Sequence, residues 1–115
     1  MAVTAFASGT LNPGDNAEHF LSSPNVAGIY TLHVDTINMA AGDVVELRVY
    51  QMVLTAGTQR VAYLARYCDA QPADDLIKIS VPIANELTDT NALRFSLKLA
   101  FGTTSHTFPW KVLSY

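Results

Sequence analysis

Apolar and polar side chains alternate along most of this chain with a period of two, and helical spacing is almost absent. Such alternation places successive side chains on opposite faces of a β-strand. Turn-forming Gly, Pro, Asn and Asp residues separate the alternating segments. The pattern predicts eight strands, at about residues 3–11, 16–22, 27–35, 44–54, 58–69, 76–83, 92–101 and 107–114.

A series of short strands, with a turn roughly every 8–12 residues, is typical of an antiparallel β-sandwich. Two sheets that each have one apolar face must cover each other, and eight strands is the number found in a jelly roll. We therefore expect an all-β, jelly-roll-like sandwich that forms a single domain over residues 1–115. Residues 1–25 fit an extended N-terminal arm plus an edge strand, and residues 84–91 have room for one helical turn.

The fourth, sixth, seventh and eighth predicted strands each have a clear apolar face and a clear polar face, because large apolar residues occupy every second position. Lys78 and Ser80 are expected to face away from the core, as are Arg94 and Lys98. The expected core set is Val45, Leu47, Val49, Val53, Ile77, Ile79, Val81, Ile83, Leu93, Phe95, Leu97, Leu99, Phe101, Phe108, Trp110 and Val112.

The fourth and fifth segments are predicted to form a hairpin. A three-residue loop over 55–57, with Gly57 in the left-handed conformation, suits the connection. Leu54 then faces Thr58, and Glu46 lies opposite Arg66. A slip of one residue would mix the apolar and polar faces, so the pattern strongly favours this register.

Composition narrows the class of protein. Half of the 115 residues are hydrophobic and 15% are charged, which is typical of a folded domain and not of a disordered chain. The net charge of −3 argues against nucleic-acid binding, and the chain has no apolar run long enough to span a membrane. We expect no signal peptide, and the lone Cys68 suits a reducing cytosol.

Candidate chemistry is sparse. His19, His33 and His106 lie far apart, without the paired spacing of a zinc site, so no metal is expected. Ser105 next to His106 has none of the surrounding motif of a hydrolase triad, and no glycine-rich phosphate loop occurs. Cys68 is expected to be a small buried side chain. The sequence therefore predicts a protein that is not an enzyme and has no cofactor.

A partner-binding surface is the remaining candidate site. The non-core faces of the predicted strands carry Arg48, Arg60, Arg66, Arg94 and Lys98. They fit either ordinary cross-strand ion pairing or a docking face for an acidic or polar protein surface. The residues predicted for a partner interface are Phe6, Phe20, Arg48, Tyr50, Met52, Arg94, Lys98 and Tyr115.

Several runs resemble small virion-associated proteins of tailed bacteriophages. They are Tyr30-Thr-Leu-His-Val-Asp35, Gly42-Asp-Val-Val-Glu-Leu-Arg-Val-Tyr50, Thr58-Gln-Arg-Val-Ala-Tyr-Leu-Ala-Arg-Tyr67 and Phe108-Pro-Trp-Lys-Val-Leu113. The resemblance covers about residues 26–115 and is to capsid cement (decoration) proteins, which have a jelly-roll-like fold. It brings no catalytic residue with it.

This resemblance implies a structural protein on the outside of a phage capsid, made in the cytoplasm of the bacterial host. Its partner would be the major capsid protein, whose neighbouring subunits it would cement, and self-association into a dimer or trimer is expected. Two alternatives remain open, a phage tail or baseplate component and a carbohydrate-binding module, because sandwiches host many functions. Nucleic acid and membrane are not expected as partners.

Overall fold

The computed structural model describes residues 2–102 and 106–115, and in these ranges the chain contains strands and no helix. The strands are β1 (Thr4–Leu11), β2 (Glu18–Ser22), β3 (Gly28–Asp35), β4 (Val44–Gln51), β5 (Arg60–Cys68), β6 (Ile77–Ile79), β7 (Ile83–Asn85), β8 (Leu93–Phe101) and β9 (Phe108–Ser114). The helical turn expected within 84–91 is wrong, because that segment begins inside β7 and continues as turns.

Two antiparallel sheets form a sandwich. One has the order β1-β9-β3-β6, with β7 also paired to β3, and the other has the order β2-β8-β4-β5. When β6 and β7 are counted as one interrupted strand, the sandwich has eight strands. Numbered along the chain, these strands have the order 1-8-3-6 in the first sheet and 2-7-4-5 in the second, which is the strand order of a jelly roll. The predicted fold class is therefore confirmed. The predicted strand 76–83 divides around Pro82, which has no amide hydrogen for the ladder.

The N-terminal quarter is part of the sandwich. β1 lies at the edge of the first sheet, paired with β9, and β2 lies at the edge of the second sheet, paired with β8. Both ladders contain a bulge, after Ala5 in β1 and after Phe20 in β2. Residues 2–25 thus provide one edge strand to each sheet, in agreement with the strands predicted at 3–11 and 16–22 and not with an arm followed by a single edge strand.

The core lies between β3 and β9 on one side and β4 and β8 on the other. The predicted inward faces of β4 and β8 are confirmed, since Val45, Leu47, Val49, Phe95 and Leu97 are fully buried. From the facing sheet come buried residues at alternate positions, which are Tyr30, Leu32, Val34, Phe108 and Val112. Trp110 is partly buried and packs against this core.

The prediction for β6 is wrong, because its faces are reversed. Ile77 and Ile79 are half exposed, whereas Lys78 and Ser80 are 5% and 3% exposed. Lys78 is stabilised in this position because its ammonium lies 3.0 Å from the Asp75 carboxylate and 4.9 Å from the ring centre of an aromatic residue on β5. The Ser80 hydroxyl oxygen accepts a 2.9 Å hydrogen bond from a backbone amide of β3. Lys78 and Ser80 can therefore be buried, because each has polar or charged partners at this end of the sandwich.

Four further side chains expected in the interior are exposed. Val53 is 77% exposed because β4 ends at Gln51, and Val81 is 49% exposed in the break between β6 and β7. Phe101 is 69% exposed, and the β4–β8 ladder shifts register where this residue pairs. The thiol of Cys68 is also exposed, at the end of the edge strand β5.

The β4–β5 hairpin has the predicted register over most of its length. Glu46 lies opposite Arg66, and the same register continues to the pair of Val49 and Tyr63. Beyond this pair a bulge shifts the register by one residue, which sets Gln51 opposite Arg60. Arg60 therefore shares the core-side parity of Gln51, and the prediction that it lies on the non-core face is wrong.

The loop of this hairpin is longer than predicted. It spans residues 52–59, and the left-handed residue is Ala56, with φ of 56°, and not Gly57. The side chain of Asp89 holds the loop, since it accepts hydrogen bonds from the Thr55 hydroxyl at 2.7 Å and from the Ala56 amide at 2.9 Å. Leu54, expected to pair with Thr58, instead lies in the loop and is 73% exposed.

Candidate partner-binding surface

The face of the β2-β8-β4-β5 sheet that points away from the core carries an ordered set of charged and apolar side chains. Their positions follow from the ladders, in which directly opposite residues share a face. We call it the charged face, and its residues are Glu18, Phe20, Glu46, Arg48, Tyr50, Val61, Leu64, Arg66, Arg94, Ser96 and Lys98.

Glu46 lies at the centre of the ion pairs on this face, with a side chain only 3% exposed. One of its carboxylate oxygens accepts a hydrogen bond from Nε of Arg66 at 2.8 Å, and the other accepts Nη2 of Arg48 at 2.8 Å. The hydrogen bonds from Arg66, above all, lower the pKa of Glu46 against the effect of its burial. The carboxylate is therefore held in its charged form under a cover of two guanidinium groups.

Glu18 on β2 collects a second group of donors. Its Oε2 accepts hydrogen bonds from the hydroxyls of Tyr50 and Ser96, both at 2.6 Å, and its Oε1 lies 3.8 Å from Nη1 of Arg48. Burial and the hydrogen bond to Glu18 raise the pKa of Tyr50, so its hydroxyl stays protonated and acts as a donor. Arg48 bridges the two carboxylates, which links β2 to β4 across β8.

An aromatic stack covers one end of the charged face. The guanidinium carbon of Arg94 lies 3.3 Å from the ring centre of Phe20, and the rings of Phe20 and Tyr50 are 5.7 Å apart at 53°. Cation–π and tilted aromatic contacts of this kind stabilise such a stack. Phe20 is nevertheless 44% exposed, so part of its apolar area faces solvent.

Exposed apolar residues lie beside the ion pairs. Leu64 is 52% exposed opposite Arg48, and Val61 is 50% exposed opposite Tyr50. Lys98 lies opposite both carboxylates in the ladders, yet it forms no ion pair within the described part of the chain. The face thus combines apolar area, neutralised ion pairs and a cation that a partner could reach.

Five of the eight residues predicted for an interface belong to the charged face, namely Phe20, Arg48, Tyr50, Arg94 and Lys98. The other three lie elsewhere. Met52 follows the end of β4, where its amide donates to a backbone carbonyl at 2.9 Å. Phe6 of β1 forms an edge-to-face contact with the buried Tyr30, and the hydroxyl of Tyr115, which follows β9, lies 3.0 Å from that of Thr31 on β3.

The sequence analysis missed the carboxylates that order this face and the apolar residues beside them. Glu46 was placed opposite Arg66, but its burial was not foreseen, and Glu18 was not considered. A signal existed for Glu46, because it alternates with Arg48 and Tyr50 along one strand. Val61 and Leu64 gave no comparable signal. Because β5 has apolar residues on both faces, its sequence does not indicate which face packs against the core.

The other candidate chemistry stays dispersed. The His19 ring lies 2.8 Å from the Asp15 carboxylate, and the His33 ring lies 2.9 Å from the hydroxyl of Thr31 on the same strand, β3. Ser105, the candidate nucleophile, lies outside the described residues. In residues 2–102 and 106–115, no group of three or more His, Cys, Asp or Glu side chains could hold a metal ion. The same ranges contain no helix long and apolar enough to cross a membrane.

No family model, curated protein or solved structure matches the chain. The resemblance to capsid decoration proteins therefore stays a hypothesis, and the jelly-roll order is the structural framework in which it can be tested.

Proposed function

We propose that this chain is a non-catalytic structural protein that binds the outside of a phage capsid and cements neighbouring major capsid subunits. The charged face is the docking surface in this proposal. Its combination of ordered ion pairs and half-exposed apolar side chains is the observation that carries it. The motif resemblance to decoration proteins supplies the identity of the partner.

The distribution of charge supports an acidic partner surface. Four of the seven basic residues of the chain lie on the charged face together with two of the ten acidic residues, so this face has an excess of two positive charges. The remainder of the chain accordingly has an excess of five negative charges. A protein with this polarity approaches an acidic surface with its charged face first.

The apolar residues support a protein contact over a purely electrostatic one. Phe20, Val61 and Leu64 are each about half exposed and could lose the rest of their exposed area in a contact. Arg48 and Arg66 are already paired with carboxylates, so burying them would leave no uncompensated charge. On a capsid the same contact recurs at many sites, and bridging adjacent subunits strengthens it by multivalency.

The carbohydrate-binding alternative has less support at this face. Sugar recognition by stacking needs an open aromatic ring, and the guanidinium of Arg94 lies 3.3 Å above the ring of Phe20. A tail or baseplate component would use the same kind of protein contact on a different virion surface.

The test is a sedimentation assay in which purified chain is mixed with bare shells of its own virion. We expect the chain to pellet with intact shells in a saturable manner. Leu64→Glu should weaken retention because it adds a negative charge toward an acidic partner. Its place beside Arg48 and Arg66 lets the domain keep its fold.

Ile79→Glu is the matched control. Ile79 is 52% exposed, as Leu64 is, but it lies on the opposite sheet, across from His33. This variant should pellet as the unmodified chain does. Loss of retention with Ile79→Glu alone would move the docking surface to the other sheet. Retention of no chain above background, with folded protein and intact shells, would reject the cement function and favour a tail or baseplate position.

A further inference from the structure

The described residues leave four open sheet edges, which differ in how they are protected against pairing with another strand. β2 is short, contains a bulge and carries Glu18, and β5 carries Arg60 and Arg66. β6 and β7 are three residues each and are separated by Pro82. Charges, short strands, bulges and prolines are the usual means by which proteins block such edges. β1 is eight residues long and carries no charged residue.

The backbone hydrogen bonds of β9 show which of its residues direct their amide and carbonyl groups toward β1. The Tyr115 amide donates to the carbonyl of Ile29 at 2.9 Å, so this odd-numbered position is directed toward β3. The β3–β9 register is unbroken, and alternate residues of an antiparallel strand direct their backbone groups to opposite sides. The backbone amide and carbonyl groups of the even-numbered residues Trp110 and Val112 are therefore directed toward β1.

The same alternation fixes the free groups of β1. Ala7 and Gly9 pair with those even-numbered residues of β9, so their backbone groups are used within the sheet. The amide and carbonyl groups of Ser8 and Thr10 must then point to the open side, where β1 has no partner strand among the described residues. Pro109 lies opposite Thr10, where the assignment requires no hydrogen bond between β1 and β9. A proline, which has no amide hydrogen, therefore causes no loss of a ladder hydrogen bond at this position.

We propose that two copies of this chain pair through this edge, antiparallel and about a two-fold axis, so that their first sheets become continuous. An antiparallel strand pair is self-complementary, which is what a two-fold contact between identical copies requires. The chain has a net charge of −3, yet its first charged residue is Asp15, so two β1 strands meet without like charges. Val3 and Phe6, 57% and 41% exposed, add apolar area next to the edge.

This inference goes beyond the proposed capsid contact and does not rest on it, since the test uses the isolated chain. The molar mass of the purified protein is measured by light scattering from micromolar to millimolar concentration. We expect the mass to rise from that of one 12.5 kDa chain to that of two. A monomer throughout this range, or a trimer, would overturn the proposal, because a two-fold strand pair closes with two copies.

Two substitutions identify the edge. Ser8→Pro removes an outward amide that the sheet does not use, and proline is tolerated at such edge positions. It should weaken the dimer on the order of tenfold or more, because two symmetry-related hydrogen bonds are lost. Ser8→Ala, which keeps the amide, should dimerise as the unmodified chain does. Unchanged dimerisation of a folded Ser8→Pro variant would contradict the pairing.

A second pair of variants keeps the test independent of the proline. Thr10→Lys places two like charges near the two-fold axis and should also favour the monomer, whereas Thr88→Lys, at an exposed position away from β1, should not. In the unmodified protein, amide hydrogen exchange at Ser8 and Thr10 should slow as concentration rises. Exchange at these two amides that is independent of concentration, in a protein that does dimerise, would place the contact elsewhere.

Discussion

Glu46 and Arg66 lie directly opposite each other on β4 and β5, and Nε of Arg66 donates a 2.8 Å hydrogen bond to Oε2 of Glu46. The two partners differ strongly in exposure, because the carboxylate is 3% exposed and the guanidinium side chain is 60% exposed. Glu46 is therefore the buried member of the pair, and its removal affects the fold more than the loss of a surface ion pair would.

Glu46→Ala should lower the free energy of unfolding by about 1.5–3 kcal/mol, because Arg48 and Arg66 both lose a charged hydrogen-bond acceptor. Urea denaturation of the purified variant measures this change. Glu86→Ala, at an exposed carboxylate, is the control and should stay within about 0.5 kcal/mol of the unmodified chain. Equal effects of the two substitutions would show that the Glu46 ion pairs do not stabilise the sheet.

The same carboxylate should make stability depend on pH. The folded-state pKa of Glu46 is lowered, chiefly by the hydrogen bonds from Arg66, so the folded protein binds the proton less readily than the unfolded chain. Its contribution is therefore complete above the unfolded value of about 4.3 and is lost as the pH falls through the lower folded pKa. Relative to Glu46→Gln, the unmodified chain should lose its stability advantage on acidification. An advantage that grows below that pH would contradict this assignment.

Adjacent positions on β8 should respond very differently to truncation. Leu97→Ala removes a fully buried side chain from the centre of the core and should cost about 2–5 kcal/mol. Lys98→Ala, on the charged face, should change stability by no more than about 0.5 kcal/mol. Thermal and urea unfolding of both variants measures the difference, and similar losses would mean that the two faces of β8 are assigned incorrectly.

Two neighbouring residues of the β4–β5 loop should give effects of opposite sign. Ala56 has φ of 56°, so Ala56→Gly relieves left-handed strain and should stabilise the protein by roughly 0.5–1 kcal/mol after the entropy of the unfolded chain is counted. Gly57→Ala would bring a Cβ within 2.7 Å of the Leu54 carbonyl oxygen and should destabilise by about 1–3 kcal/mol. Melting temperatures of both variants test the pair. A stabilising Gly57→Ala would show that the Leu54 carbonyl does not crowd this position, and a destabilising Ala56→Gly would contradict the left-handed conformation of Ala56.

The alternation of apolar and polar residues determined the all-β class, the inward faces of β4 and β8 and the pairing of Glu46 with Arg66. These features follow from a period of two wherever one face of a strand is clearly more apolar than the other. The same information placed Arg48, Tyr50, Arg94 and Lys98 on the charged face, because these residues alternate with the core positions of β4 and β8.

Only the tertiary structure decided which face is covered where the pattern is ambiguous. In β6 the isoleucines face solvent and Lys78 faces inward, because Asp75 and an aromatic ring from the other sheet surround its ammonium. A bulge after Val49 reverses the parity of β5, so Arg60 changes face without any local signal in its own sequence. Periodicity records that a strand has two faces. The choice between them depends on partners that lie far away along the chain.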